Sequence, residues 1–305
     1  MDLLSLINSE KDIEKLKEIS LEHIDNMYRN KKCEANQADI YEFILGSIDL
    51  STNFEYCENP KVSIVIPVKN NFIMTSALLQ SIKKNTKGID YEVIIADDNS
   101  EDEVSQIEYF FGNLKRIVND TGCEGFIYNM NNAISKARGE YIFSMNNDMM
   151  TLPDYLGELL KVIENDKSIG IAGSKTLNIE NCVDECGMNI TRNLEFKSIG
   201  QNEPSDFNDD KDYIDCDYCS GCAILFRRDV FEKAGKFDVN LAPAYFDDSD
   251  FAFNLKYNFG LKSVCVPKSK IYHFKGISYL ETEEKLDLSR RNSLYFFQKW
   301  RNQIR

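Results

Sequence analysis

Short apolar runs alternate with amphipathic segments in the part of the chain that follows residue 60. Four of these runs have the length of strands and lie at residues 62–66, 91–96, 116–118 and 140–145. Two segments between them have helical spacing and lie at residues 76–84 and 126–136. Short apolar strands that alternate with helices are typical of a mostly parallel sheet covered by helices. We therefore predict an α/β fold here.

Polar residues directly follow three of the predicted strands. Residues 69–71, 97–98 and 146–148 consist of Asn and Asp, apart from Lys69 at the start of the first group. Ligands of such sheets bind beyond the carboxyl ends of the strands. We therefore expect the three groups to line one site.

The regions outside this alternation have weaker patterns. Residues 1–58 show helical stripes and predict a helical N-terminal extension to a domain at 59–305. Residues 182–211 are polar and predict loops or a hairpin. Pro267 is expected to end the strand before it, because proline cannot donate a ladder hydrogen bond. Further strands and helices are predicted at residues 223–226, 228–234, 263–266 and 283–300.

Three acids crowd the start of another predicted helix. Asp247, Asp248 and Asp250 precede apolar residues that recur at four-residue spacing. Carboxylates at a helix N-terminus are stabilised by the helix dipole and by free N–H groups, so an ordinary acidic cap is one interpretation. The other is functional, because a helix anchored by its apolar face can aim one carboxylate into a cleft as a general base.

Composition and charge narrow the class of partner. An apolar fraction of 43% predicts a chain that folds. The net charge of −14 argues against nucleic acid as the main partner, because phosphate binding needs clustered Lys and Arg. An acidic protein that binds a phosphorylated ligand needs a cation between its own negative charges and the phosphates, which points to a metal.

The cellular compartment is predicted from cysteines and apolar runs. The nine cysteines lack the spacing of a disulfide framework, and the N-terminus lacks the pattern of a signal peptide. No apolar run approaches the roughly 20 residues of a membrane span. We therefore expect a reduced, cytoplasmic protein whose membrane contact is at most peripheral, at the inner face of the membrane. A homo-oligomer that forms through residues 1–58 remains open.

Two further patterns allow more than one interpretation. The C-terminal helix interleaves basic and aromatic residues, which suits contact with anionic lipid or an acceptor, or an apolar face packed on the core. We favour the core. A set of cysteines has spacings that also occur in zinc and iron–sulfur sites, although small apolar filler is the simpler interpretation. The set comprises Cys182, Cys186, Cys216, Cys219 and Cys222.

Seven motifs follow one another along the chain in a fixed order. They lie at residues 62–70, 96–100, 119–141, 146–153, 220–238, 247–250 and 273–278. Each motif alone is weak, but in this order they resemble the family-2 glycosyltransferases of the GT-A fold, over about residues 62–300. The resemblance implies a nucleotide-binding half at 59–150 and an acceptor-binding half at 151–305.

The resemblance also implies roles for individual residues. Asp148 and His273 would hold Mn²⁺ or Mg²⁺, which accept oxygen and imidazole ligands. Asp248 would be the catalytic base of a single displacement with inversion, and Asp247, Asp250 and Gly221 would lie at the acceptor. The nucleotide sugar, with its uracil at Asp98, would contact Pro67, Val68, Lys69, Asn70, Asp97, Asp98, Gly122, Asn147 and Asp148.

One motif departs from the family pattern. Asn146 and Asn147 precede Asp148, where the family's DxD motif begins with an acid. The resemblance assigns the metal contact to the last acid, so that role is retained. The missing carboxylate is expected to weaken metal affinity or to alter the choice of donor.

The resemblance implies a metal-dependent, inverting glycosyltransferase. The donor that it favours is a UDP-sugar, and the acceptor is a hydroxyl group of a surface polysaccharide or a glycoprotein. Two alternatives remain open. A degenerate, non-catalytic scaffold would account for the altered DxD motif, and a nucleotidyltransferase would use a similar sheet but needs a basic phosphate loop.

Overall fold

The computed structural model describes residues 53–191, 195–274 and 283–303. The helices predicted within residues 1–52 lie outside these ranges, as does most of the predicted extension. Residues 53–58, its last part, are described as coil. There the buried ring of Phe54 packs edge-on against Tyr91, with 6.2 Å between the ring centroids.

The order of strands and helices follows the predicted alternation and continues beyond it. The strands of the described ranges are β1 Val62–Val68, β2 Tyr91–Asp97, β3 Lys115–Val118, β4 Tyr141–Met145, β5 Met149–Thr151, β6 Ile169–Leu177, β7 Val183–Glu185, β8 Met188–Ile190, β9 Phe196–Ser198, β10 Ile214–Cys216, β11 Ala223–Arg227 and β12 Lys262–His273. The α-helices of these ranges are α1 Phe72–Asn85, α2 Ile107–Phe110, α3 Phe126–Ser135, α4 Tyr155–Asn165, α5 Arg228–Lys233, α6 Asp247–Phe259 and α7 Glu283–Trp300.

A single mixed sheet forms the centre of the described structure. Its strand order is β3-β2-β1-β4-β11-β6-β12-β10, with β5 on β12 and β7 on β6, while β8 and β9 form a separate hairpin. The strands of the alternating region, β1 to β4, pair in parallel as predicted. Strand β11 runs antiparallel between β4 and β6, so the second half of the sheet is mixed.

Helices cover both faces of the sheet because the strands are apolar on both sides. Ile64 and Ile66 of β1 belong to the core beneath α1 and α4, and Val65 belongs to the core beneath α3 and α6. Parallel strands buried on both faces are near-continuous apolar runs, which is the pattern seen in the sequence. Two helical layers thus fix the ends of the strands, where the polar groups lie.

The structure differs from the sequence prediction at several elements. Strand β12 continues past Pro267 to His273, so the prediction that this proline ends the strand is wrong. The register with β6 shifts between Val266 and Lys270, and this irregularity accommodates a residue that cannot donate a hydrogen bond. Helix α1 begins at Phe72, four residues before its predicted start, and β6 and α4 were not predicted. Within the described ranges, no helix is both long enough and apolar enough to span a bilayer.

Candidate active site

A cavity of about 530 Å³ opens where the polar groups follow the strands. Its lining combines the ends of β1, β2 and β4 with the turn before β11 and the first turn of α6. The lining residues are Pro67–Lys69, Asp98, Phe126, Asn129, Asn146–Asp148, Phe196, Tyr218, Ser220–Cys222 and Ala244–Ser249. The predicted convergence of the three polar groups is therefore present in the structure.

Asp98 is held rigidly at the end of β2. Its Oδ1 accepts a hydrogen bond from Asn119 Nδ2 at 2.6 Å, and its Oδ2 accepts one from the Gly125 N–H at 2.9 Å. The side chain is buried yet lines the cavity. An ionised carboxylate has about four acceptor sites, so Asp98 keeps capacity for a ligand N–H group.

Three of the residues predicted to contact the nucleotide lie behind or beside the cavity. Asp97 is fully buried and pairs with Arg116, whose Nε lies 2.7 Å from Asp97 Oδ2. Asn70 accepts the Glu101 N–H at 2.8 Å through Oδ1 and so ties the β1 loop to the β2 loop. Gly122 lies in an exposed turn with a φ of +76°. Among the described residues, the cavity lining includes none of these three.

Asp148 and His273 meet through a strand pairing. Strand β12 pairs antiparallel with β5, and His273 is the register partner of Met149. This places His273 Nε2 3.6 Å from Asp148 Oδ1, and His273 Nδ1 3.6 Å from Asp184 Oδ2. Burial opposes the charge on His273, but the two carboxylates outweigh it and raise the pKa of the imidazole to about 9.

The Asp148–His273 pair fits a divalent cation. Asp148 Oδ1 is buried and has no hydrogen-bond partner among the described residues, which is costly for a polar atom, and His273 Nε2 is the ring nitrogen that faces it. The described ranges contain no cluster of three or more His, Cys, Asp or Glu side chains that could hold a metal by themselves. A cation that binds here would therefore need ligand oxygens from a phosphorylated substrate, as is usual for Mg²⁺.

The acids of α6 point in different directions. Asp248 lines the cavity, and its Oδ2 and Oδ1 accept hydrogen bonds from the Gly221 N–H at 3.0 Å and the Ser249 N–H at 2.6 Å. Asp247 also lines the cavity. Asp250, predicted to contact the acceptor, instead accepts a hydrogen bond from Trp300 Nε1 at 2.8 Å and is buried against α7. The structure thus brings Asp247, Asp248 and Gly221 to the cavity and leaves Asp250 outside it.

Burial and mutual repulsion perturb the two acids of the cavity. Burial raises the pKa of Asp247 to about 8, and the neighbouring charge of Asp248 adds to the rise. Burial also raises the pKa of Asp248, although the backbone N–H groups of Gly221 and Ser249 act in the opposite direction. Perturbed carboxyl groups in a cleft are typical of catalytic sites.

Three residues of this region were missed by the sequence analysis. Phe196, from the β8–β9 hairpin, and Tyr218 give the cavity an aromatic wall, and their rings lie 5.9 Å apart in an edge-to-face arrangement. Asp184 lies beside His273. All three come from the polar region predicted only as loops or next to it, where no periodic pattern marks a position.

Four cysteines of this region lie near one another as two close pairs. Cys186 Sγ lies 3.1 Å from Cys265 Sγ, and Cys216 Sγ lies 3.5 Å from Cys219 Sγ. Cys222 lines the cavity. The described ranges contain no group of three such side chains suited to a metal, so the geometry does not favour the zinc alternative.

Comparison with known proteins identifies the family. The model of the family described as Glycosyl transferase family 2 matches residues 63–235, more than half of the chain. The chain belongs to glycosyltransferase family 2. The architecture is that of GT-A enzymes: the structure of GalNAc-T7 with UDP, GalNAc and Mn²⁺ superposes with a TM-score of 0.66 at 17% identity, over 88% of this chain and 56% of that one.

Two curated relatives of this family-2 chain have names that refer to glycan synthesis. The O-antigen biosynthesis protein RfbC of Myxococcus xanthus is 28% identical over 72% of this chain and 18% of its own length. The GalNAc(5)-diNAcBac-PP-undecaprenol beta-1,3-glucosyltransferase of Campylobacter jejuni is 25% identical over 57% of this chain and 54% of its own. The family-2 chain therefore spans about half or less of the length of these relatives.

Proposed function

We propose that the chain transfers a sugar from a nucleotide sugar, a UDP-sugar, to a hydroxyl group of a glycan acceptor. One observation carries the proposal: Asp98, Asp148 and Asp248, from distant parts of the sequence, line the same cavity. A nucleotide contact, a cation ligand and a base are the three groups that such a transfer requires. Membership of glycosyltransferase family 2 supports it.

The donor side is supported by the residues after β1, β2 and β4. In the proposal, the Asp98 carboxylate accepts the N–H of the uracil, and Pro67, Val68 and Lys69 lie along the nucleotide. Asn70, Asp97 and Gly122 lie outside the cavity lining and contribute by fixing the conformation of these loops. GalNAc-T7, one of the structural relatives, was solved with UDP and Mn²⁺, and a mannosyltransferase of Pyrobaculum calidifontis with GDP-Man and Mn²⁺. Both support a nucleotide and a divalent cation, and the first supports uridine.

The cation in this proposal is Mn²⁺ or Mg²⁺, held by Asp148 and His273, with Asn147 beside them. When bound, it would neutralise the charge of the departing diphosphate. The buried Asp148 Oδ1, which lacks a hydrogen-bond partner among the described residues, supports a ligand at this point.

Asp248 acts as the base in this proposal. Two backbone N–H groups hold its carboxylate at the cavity wall, so one orientation is maintained. The carboxylate takes the proton of the acceptor hydroxyl as that oxygen forms a bond to the anomeric carbon and the bond to the diphosphate breaks. A single displacement of this kind inverts the anomeric configuration.

The acceptor side is aromatic, which supports a sugar ring as the acceptor. Phe196, Tyr218 and Phe246 line the cavity next to Asp247 and Asp248. Aromatic faces bind the apolar face of a pyranose while its hydroxyl groups reach polar neighbours. The Campylobacter relative acts, by its name, on an undecaprenol-linked glycan, so we propose a precursor of a surface polysaccharide or glycoprotein.

The alternative of a non-catalytic scaffold is favoured by one observation, the Asn146–Asn147 pair that precedes Asp148. A scaffold needs neither a cation nor a base. Calorimetric titration with UDP, GDP, dTDP and CDP, each with and without Mn²⁺, separates the two. We expect UDP to bind in a Mn²⁺-dependent manner that is lost in Asp148→Ala, whereas absence of binding by all four nucleotides would favour the scaffold.

A further inference from the structure

Helix α7 contacts the beginning of helix α6 on both sides of Asp247 and Asp248. Asn292 of α7 contacts the segment that precedes these acids, and Lys299 and Trp300 contact Asp250, which follows them. The chain between the two contacts contains the residues of the cavity wall. The α7 residues that make these contacts, Asn292, Lys299 and Trp300, lie outside the seven motifs of the family resemblance.

The first contact is a single amide that serves three carbonyl groups. Asn292 is fully buried, and its Nδ2 donates to the carbonyl oxygens of Leu241 at 2.6 Å, Ala244 at 2.8 Å and Tyr245 at 3.1 Å. An –NH₂ group has two hydrogens, so two of these carbonyls can each bind a hydrogen of their own, and the third can only share one. The backbone that leads into α6 is therefore fixed from α7.

This backbone has a conformation that needs support. Tyr245 and Phe246 have φ angles of 77° and 66°, in the left-handed region that bulky side chains rarely adopt. Such a residue persists only where its surroundings impose the conformation. The left-handed pair directly precedes Asp247, so it sets the direction in which α6 begins.

The second contact, from Lys299 and Trp300, fixes the part of α6 that contains Asp250. Asp250 accepts hydrogen bonds from Trp300 Nε1 through Oδ1 and from Lys299 Nζ through Oδ2, both at 2.8 Å. Lys299 Nζ also lies 2.7 Å from Asp238 Oδ2. The carboxylate of Asp250 is thus occupied by α7, although Asp248, two residues earlier, lines the cavity.

We propose that α7 is a positioning element of the active site, in which Asn292 and Trp300 fix the first turn of α6 so that Asp248 points into the cavity. The inference rests on the proposed role of Asp248 as the base. Loss of either contact leaves the donor loops after β1, β2 and β4 in place. It therefore lowers the rate of transfer without weakening donor binding.

The test uses full-length Asn292→Ala and Trp300→Phe, the second of which keeps an aromatic ring but removes the N–H donor. The matched control is Asn254→Ala, which removes a side-chain amide bond on α6 itself, from Nδ2 to the Ala234 carbonyl at 2.8 Å. The assay measures hydrolysis of UDP-glucose, UDP-galactose and their N-acetylhexosamine counterparts in the presence of Mn²⁺, in which water replaces the acceptor hydroxyl and UDP is released. Hydrogen–deuterium exchange of residues 241–250 is measured on the same samples.

We expect kcat to fall about 10- to 100-fold in both α7 variants, because small misplacement of a catalytic group is costly. The donor KM should stay within about two-fold, and the control should keep both constants. Exchange in residues 241–250 should be about ten-fold faster in Asn292→Ala than in the wild type or the control.

Unchanged exchange in Asn292→Ala, or an equal loss of kcat in the control, would overturn the positioning role. If the wild type releases no UDP from any donor while Asn292→Ala still opens residues 241–250, the proposed function fails and the constraint imposed by α7 is supported. The two proposals are therefore distinguished by the same set of samples.

Discussion

Asp247 and Asp248 are adjacent in sequence but have different partners. Backbone N–H groups favour the charged form of both acids, but at Asp247 burial and the charge of Asp248 outweigh them and raise the pKa to about 8. Two coupled carboxyl groups release their protons in separate steps. The charge of Asp248 is one cause of the raised pKa of Asp247, so loss of a proton from one acid opposes loss of a proton from the other.

The first prediction concerns Asp248. Asp248→Asn removes the proposed base but keeps the size of the side chain, so we expect transfer to fall by about 10²- to 10⁴-fold. Binding of UDP with Mn²⁺, measured by calorimetry, should be unchanged because Asp98 and Asp148 are intact. The control is Asp229→Asn on the exposed surface of α5, where only an ion pair with Lys233 is lost. Wild-type turnover in Asp248→Asn would show that the base lies elsewhere.

The second prediction concerns pH and Asp247. Its pKa is raised from 3.8 to about 8 on folding, so the folded protein keeps a proton that the unfolded chain has lost. The free energy of unfolding should therefore decrease as pH rises from about 4 to 8, with a slope of up to about 1.4 kcal/mol per pH unit. Asp247→Asn cannot ionise and should show a shallower slope in urea unfolding. Parallel pH profiles for variant and wild type would contradict the shift.

At the scale of elements, one buried ion pair anchors the loop before β10 to the sheet. Lys175 of β6 is fully buried, and its Nζ lies 2.6 Å from Asp209 Oδ1 and 2.9 Å from the Phe207 carbonyl oxygen. Lys270 of β12 pairs with the other oxygen of the same carboxylate. Two neighbouring strands thus each bind the carboxylate of Asp209 through a lysine.

The third prediction tests this anchor. Asp209→Asn leaves the buried ammonium of Lys175 unpaired, and we expect a loss of about 3 kcal/mol in the free energy of unfolding. The double variant Lys175→Met with Asp209→Asn should recover part of this loss because no charge is then buried at position 175. Asp212→Asn, which loses only a surface pair with Lys268, should change stability by less than about 1 kcal/mol. An effect no larger than this control would show that the pair is not an anchor.

The strands that the sequence predicts best are those whose apolar composition marks them as buried. Strands β1, β2 and β4 are apolar on both faces and were predicted, because their composition alone determines burial. Strand β11 was predicted as a strand, but its antiparallel direction depends on partners distant in sequence. Strand β12 passes Pro267 through an irregularity in its pairing with β6, and one sequence contains no signal for that pairing.

The candidate site was predictable where residues follow strands directly. The groups at 69–71, 97–98 and 146–148 were expected to converge, because the ends of parallel strands share one edge. The pairing of Asp148 with His273 was implied only by the family resemblance, since it depends on the antiparallel contact between β5 and β12. The turn of Asp250 towards Trp300 depends on the packing of α7, and spacing alone could not separate it from Asp247 and Asp248.

At the scale of the whole molecule, the negative charge of the protein opposes the binding of a nucleotide diphosphate in the cavity that the sheet forms. The sheet brings the ends of β1, β2 and β4 together, but the carboxylates that they carry belong to a chain with a net charge of −14. The field of such a protein repels a nucleotide diphosphate over a distance set by the ionic strength. Lys69 is the cation of the cavity lining, and it is half-exposed and also pairs with Glu124.

The last prediction follows from this opposition. Without a divalent cation, UDP should bind weakly, and its affinity should rise between about 20 mM and about 200 mM NaCl, because salt screens the repulsion. With Mn²⁺ at the Asp148–His273 pair, local attraction replaces repulsion, so the same change in salt should weaken binding. Calorimetry at both salt concentrations measures how UDP affinity changes with salt, once without and once with Mn²⁺. Lys69→Gln is the control, because it removes the cationic side chain of the cavity lining. Cation-free binding that weakens with salt, and is lost in Lys69→Gln, would mean that the protein neutralises the diphosphate with its own lysine and needs no metal.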